Sequence, residues 1–163
     1  VAYARRFGED PELWGLVGLL HDFDYERYPN ISVEGHPVVG SRILRERGYP
    51  EEVIRAILSH APEFTGIHPE SLMERTLVAV DELTGFLIAV ALVRPTKSIL
   101  DVEVRSVKKK WKQNEFAAAV NRAEIEAAAA ALGVPLDEHI QIVLDAMKEI
   151  ASELGLERQP VEA

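Results

Sequence analysis

Cysteine is absent from this chain, which excludes disulfides, iron–sulfur clusters and thiolate zinc sites. Any metal must therefore be held through nitrogen and oxygen, a donor set that suits iron, manganese, zinc, cobalt or nickel better than copper(I). Long apolar runs are missing as well: the longest candidate, residues 86–93, is about half of the roughly 18 residues that suggest a membrane span. No membrane partner is expected. Nothing near the start resembles a signal peptide, so the expected location is cytoplasmic. Positive charge is in deficit, with 18 Lys and Arg against 27 Asp and Glu and a net charge of −9. That balance argues against a protein that coats nucleic acid, and no stable nucleic-acid binding is expected. Strand signals are scarce too. Residues 99–107 are the only stretch that reads as a strand, and there is no hairpin signal or internal repeat.

What is present is helical punctuation around an adequate core. A chain of 163 residues with 47% hydrophobic content fits one globular domain. Residues 1–7 followed by Gly8 read as the last two turns of a helix with a glycine cap, so the sequence looks cut from a longer one. Asp10-Pro11-Glu12 is an N-cap followed by proline at the first helical position, and it opens a helix that carries Leu16, Val17, Leu19 and Leu20 into His21-Asp22. Residues 23–35 read as a loop. A second helix is expected from about His36 to Arg47, and a third from Pro50 to His60, where Pro62 stops it. Residues 71–93 form a long helix, apolar around nearly its whole circumference after Leu77, which marks a buried central element. Asn121-Arg122-Ala123-Glu124 is a capping-box pattern before the alanine-rich stretch that Gly133 ends. Residues 136–154 give a final amphipathic helix. The fold class is all-α, in a single domain 1–163.

Within that frame, an ordered set of polar residues recurs beside apolar helical segments: His21, Asp22, Asp24, His36, His60 and Asp81. An unpartnered imidazole or carboxylate in apolar surroundings costs several kcal/mol, on the order of what a bound cation can offset. Asp81 is the sharpest case, lying between Val80 and Leu83 on the most apolar helix. A lone Asp there reads as bonded to a neighbouring Thr or Arg; with His21-Asp22 and two further histidines upstream, the metal reading is favoured. His68, before Pro69, reads as solvent-facing, His139, beside Asp137 and Glu138, as a surface or capping residue, and Trp14 and Trp111 as packing residues. The loop with Tyr25, Arg27 and Tyr28 reads as surface rather than pocket wall. Residues 94–112 hold Arg94, Lys97, Arg105, Lys108, Lys109, Lys110 and Lys112 against Asp101 and Glu103. A solvated helix face is the main reading of this basic island, with Arg94, Lys97 and Lys108 as the candidates for a substrate phosphate.

Leu19-Leu20-His21-Asp22, Gly35-His36-Pro37-Val38-Val39-Gly40, Leu58-Ser59-His60 and Val80-Asp81-Glu82-Leu83-Thr84-Gly85 together resemble the motifs of the HD superfamily of metal-dependent phosphohydrolases. The resemblance covers roughly residues 1–93 and implies a metal-binding helical bundle, with residues 94–163 as a C-terminal helical extension similar to that of a subgroup of small bacterial members. It implies that the family's first histidine lies just upstream of Val1. It also implies one or two divalent metals, iron or manganese first, with nickel, zinc, cobalt or magnesium as alternatives, held by His21, Asp22, His36, His60 and Asp81. Asp22 is then the bridging ligand, with Asp81 on the first metal and His36 and His60 on the second. Two metals about 3.5–4 Å apart can clamp a phosphate and activate water for in-line attack. Asp22 and Asp24 are the catalytic candidates, Asp24 as a group that orients a ligand or transfers a proton; a loop carboxylate beside Arg27 is an equally weighted reading. The implied activity is hydrolysis of a nucleotide or other small phosphate ester, so the expected partner is a small phosphorylated substrate, with a homodimer left open. Two alternatives keep the fold: a non-catalytic metal-binding regulatory domain, and a di-iron oxygenase-like protein.

Overall fold

Ten of the first twenty residues form one helix, and its start is written in two of them. The computed structural model describes residues 1–158; residues 159–163 of the expected C-terminal extension lie outside the described residues. The Asp10 carboxylate accepts hydrogen bonds from the backbone N–H groups of Glu12 (2.9 Å) and Leu13 (3.3 Å), ahead of Pro11. A cap of this kind stabilises a helix by about 1 kcal/mol. The result is α2 (Pro11–Leu20), preceded by α1 (Ala2–Phe7), which ends at Gly8. The described residues are mainly helical and form two compact units, Val1–Val78 and a second from Ala79 onward.

In the first unit, α3 (Val38–Glu46) and α4 (Glu51–Ser59) pack on each other, and α4 also packs on α2. Buried Val53, Ile54, Ala56 and Ile57 give α4 its inner face, with the i, i+3, i+4 spacing of an amphipathic helix. Pro62 does not simply end that region: it starts a single-turn helix, α5 (Pro62–Thr65). Two short strands were not expected. β1 (Ile31–Ser32) pairs in parallel with β2 (His36–Pro37), with Ile31 opposite His36. Gly35 makes this possible, because a Cβ there would lie 1.8 Å from the Asn30 carbonyl oxygen. Side-chain-free backbone at position 35 is what lets the chain double back and deliver His36.

The long helix α6 (Leu72–Leu92) begins in the first unit and continues into the second. Its start is fixed by buried Glu74, which accepts from the backbone N–H groups of Glu70 (2.7 Å) and Ser71 (2.9 Å) and from the Arg55 guanidinium on α4. Burial pushes the Glu74 carboxyl up, but the Arg55 and backbone donors outweigh it and leave the group below its ordinary value.

The second unit continues through a 3-10 turn (Ile99–Asp101), α7 (Val104–Trp111), α8 (Arg122–Ala131) and α9 (Leu136–Glu149). Residues 99–107 are thus the 3-10 turn and the start of α7, not a strand; Ser98 caps the turn through the Leu100 N–H, and Ser106 and Glu103 cap the helix reciprocally. Local capping outweighs the β-branched composition there. α9 packs against α7, α8 and the 3-10 turn. Phe86 meets Trp111 and Phe116 edge-on at 4.9 and 5.5 Å, and Trp14 is buried in the first unit, so both tryptophans are packing residues. His139 corrects the sequence reading: it is fully buried rather than at the surface, with Nε2 donating to the Ala79 carbonyl at 2.8 Å. No single described helix is long and apolar enough to cross a membrane.

Candidate metal centre

The end of α2 is less buried than its apolar sequence suggests. Leu19 is 77% exposed, and the helix delivers His21 and Asp22 to a surface-accessible rim rather than into a core. His21 continues the helical turn through its N–H to the Val17 carbonyl (2.9 Å), and its Nδ1 donates to the Gly18 carbonyl (2.8 Å). The chain then turns tightly: Tyr25 N–H bonds to Asp22 O at 2.9 Å and Tyr28 N–H to Asp24 O at 2.9 Å. These turns carry Asp24 inward, where it is almost fully buried, while Asp22 stays half-exposed.

Three histidines meet this turn in the same way. His36, 3% exposed at β2, donates from Nδ1 to Asp24 Oδ1 at 2.8 Å. His60, at the C-terminus of α4, donates from Nδ1 to the Ile57 carbonyl. With His21 on the Gly18 carbonyl, each ring spends its Nδ1 proton on an oxygen, and that choice leaves the lone pair on Nε2. The Nε2 atoms of His36 and His60 then face each other at 2.9 Å, with Asp22 Oδ1 at 3.2 Å from the first and 3.8 Å from the second. Asp22 Oδ2 turns the other way, 3.5 Å from His21 Nε2. The Tyr25 ring closes one side, edge-on to His36 with centroids 5.4 Å apart.

Two imidazole lone pairs at 2.9 Å repel unless positive charge lies between them. Two nitrogens held at a right angle about 2.1 Å from one cation are about 3.0 Å apart, so the spacing suits neighbouring ligands of a single ion. Asp22, His36 and His60 each offer one donor atom within 4.8 Å of the others. Neutral nitrogen with one anionic oxygen suits iron, manganese, cobalt or zinc. The residues present fit a divalent metal.

The structure brings His21, Asp22, Asp24, His36 and His60 together within the first unit. Asp81 stands on α6 beyond the division between the units, half-buried, with Thr84 Oγ1 donating to its backbone carbonyl at 2.7 Å. The basic candidates belong to the second unit: Arg94 is half-buried, Lys97 is exposed, and Lys108 pairs with Asp137 at 2.7 Å. Lys110 lies over the Phe116 ring at 4.7 Å and Lys109 is exposed, so much of the island is ordinary surface at the C-terminus of α7. His68 is exposed, as its place before a proline suggested. Two contributors were not read from sequence. One is Gly40, whose N–H reaches Asp24 Oδ2 at 2.6 Å; the other is the Tyr25 ring edge. The only hint of the first was a glycine four residues after His36 in the opening turn of a helix.

The model of the HD domain family matches residues 1–91, more than half of the chain. Among curated proteins, Ribonuclease Y of Cutibacterium acnes (strain DSM 16379 / KPA171202) is 31% identical over 82 residues, which is 50% of this chain and 15% of that protein. The chain therefore spans a small part of this relative's length. No solved structure matches the chain.

Proposed function

This chain belongs to the HD domain family, and from that membership we propose that it is a metal-dependent phosphohydrolase acting on a nucleotide or another small phosphate ester. The observation that carries the reading is the pair of opposed Nε2 atoms of His36 and His60 beside Asp22 Oδ1, a donor set that calls for a cation. His21, Asp22, His36 and His60 are the ligands we assign to the metal, and the Val80-Asp81-Glu82-Leu83 pattern resembles the family's terminal-aspartate motif. Iron or manganese is the proposed metal, as one or two ions. When bound, the cation supplies Lewis-acid chemistry, neutralising charge on a phosphoryl group and activating water.

The protein's own residues do the rest. Asp22 directs one carboxylate oxygen toward His36 and His60 and the other toward His21, so one side chain serves both halves of the donor set. Its 51% side-chain exposure keeps this side open to a substrate. The backbone carbonyls of Gly18 and Ile57 hold His21 and His60 in fixed orientations, which avoids reorganisation when ligand arrives. The net charge of −9 favours a small substrate over a nucleic-acid strand.

The test is a panel of nucleoside phosphates, dinucleotides, an aryl phosphate and a short RNA, with Mn2+-loaded and Fe2+-loaded protein. Phosphate release on part of the panel should require metal and fall to background in Asp22→Ala. Equal turnover by both proteins would assign the activity to a contaminant. Metal binding with no turnover across the panel would replace the hydrolase reading with the regulatory one.

A further inference from the structure

We infer that Asp24 is a positioning residue: with the backbone of Gly40 it locks His36 in the tautomer that points its Nε2 lone pair at the metal centre. The functional consequence rests on the site proposed above. The structural half can be read with no metal present.

Asp24 has both carboxylate oxygens committed. Oδ1 accepts from His36 Nδ1 at 2.8 Å and Oδ2 accepts from Gly40 N–H at 2.6 Å. An ionised carboxylate only accepts, so the imidazole nitrogen facing it carries the proton and the other carries the lone pair. The Gly40 N–H is one of the amides of the first turn of α3, which have no partner inside their own helix. Pro37 at the N-cap supplies no side-chain acceptor, and Asp24 takes that role from a different segment of chain. Negative charge is favoured at a helix N-terminus, so the same carboxylate caps α3 and aims His36.

Gly40 is required by this arrangement rather than by its backbone angles. A Cβ at position 40 would lie 2.6, 2.7 and 2.8 Å from Cγ, Oδ2 and Oδ1 of Asp24. Any side chain there displaces the carboxylate. A group that transfers protons must reach the substrate or its water, whereas Asp24 has a side chain only 2% exposed and no oxygen to spare.

Asparagine at position 24 provides a sharp test, because it offers one oxygen to two donors. Its amide NH2 must face either Gly40 N–H or His36 Nδ1. The backbone donor cannot change, and the imidazole can. Asp24→Asn should therefore move His36 toward the Nε2–H tautomer. The experiment uses the full chain, metal-free and 15N-labelled at its five histidines, at pH about 8.5, above the ordinary imidazole range. Long-range 1H–15N correlation reads each ring's tautomer, and a parallel titration measures Mn2+ affinity.

Wild type should show His36 as Nδ1–H. In Asp24→Asn the His36 tautomer should shift, the His139 and His68 signals should stay in place, and Mn2+ affinity should fall about 10–100-fold. Gly40→Ala, with Asp24 intact, should reproduce both changes, which a general loss of packing would not do. If one variant fails to fold, the other decides. An Nε2–H tautomer at His36 in wild type overturns the inference. So does an unchanged tautomer in the folded variants, including the case where turnover alone falls, which would make Asp24 a proton-transfer group. If wild type binds no Mn2+, the hydrolase reading fails while the tautomer result still decides this one.

Discussion

His36 in the first unit and His139 in the second are both buried, yet their surroundings differ in kind. His139 donates through Nε2 to a backbone carbonyl at 2.8 Å and lies on a helix among Ile140, Val143 and Leu144. Burial pushes its pKa below the ordinary imidazole value, against a smaller opposing contribution from the Ala79 carbonyl, so the folded protein favours the neutral ring. His36 also satisfies one nitrogen, on Asp24, but its other nitrogen faces a second imidazole and a carboxylate oxygen. One ring is a packing element with its polarity matched locally. The other belongs to a donor set that fits a cation. Burial alone therefore does not separate a ligand from a core residue; what the second nitrogen faces does.

The contrast breaks most visibly at the ring itself. His60→Ala should lower Mn2+ affinity by more than about 100-fold, since a ligand outweighs the 10–100-fold of an orienting partner. It should also cost stability in the metal-free protein, because the His60 side chain is almost fully buried and its Nδ1 donates to the Ile57 carbonyl. His139→Ala should cost about 3 kcal/mol for the buried volume lost but leave the metal affinity of the folded protein unchanged. Isothermal titration and thermal denaturation of both variants check the pair. Loss of stability without loss of affinity in His60→Ala would erase the distinction.

A smaller effect sharpens the His139 half. Its folded pKa lies below the unfolded one, so the unfolded chain binds the proton more readily. Stability is then fully present above the ordinary imidazole pKa of about 6.5 and declines as pH falls from there toward the folded value. His139→Gln keeps a donor for the Ala79 carbonyl and cannot titrate. Its melting temperature should fall less than that of wild type between pH 7.5 and 5.5. Parallel pH profiles would show that His139 carries no such linkage.

Much of the helical frame was legible because its signals are local. Asp10-Pro11 starts a helix where caps and proline place one, and Gly8 and Gly133 follow helix ends. The convergence of His21, Asp22, His36 and His60 was suggested by their order in the chain. Other features depend on distant neighbours. β1 and β2 are two residues each, too short for any periodicity. Gly35 and Gly40 are needed because the Asn30 carbonyl and the Asp24 carboxylate come close to them, which one sequence does not reveal. His139 was misread because Asp137 and Glu138 beside it suggest a surface. The better signal was its spacing from Leu136, Ile140, Val143 and Met147, which puts it on the apolar side of α9.

Co2+ titration of the metal-free chain tests most directly whether the opposed histidines form a metal site. The predicted result is saturable uptake of one or two ions per chain, with d–d absorption bands of nitrogen and oxygen ligation that are lost in His60→Ala. A chain that takes up no Co2+, and no Mn2+, Fe2+ or Zn2+ in the same experiment, would contradict it.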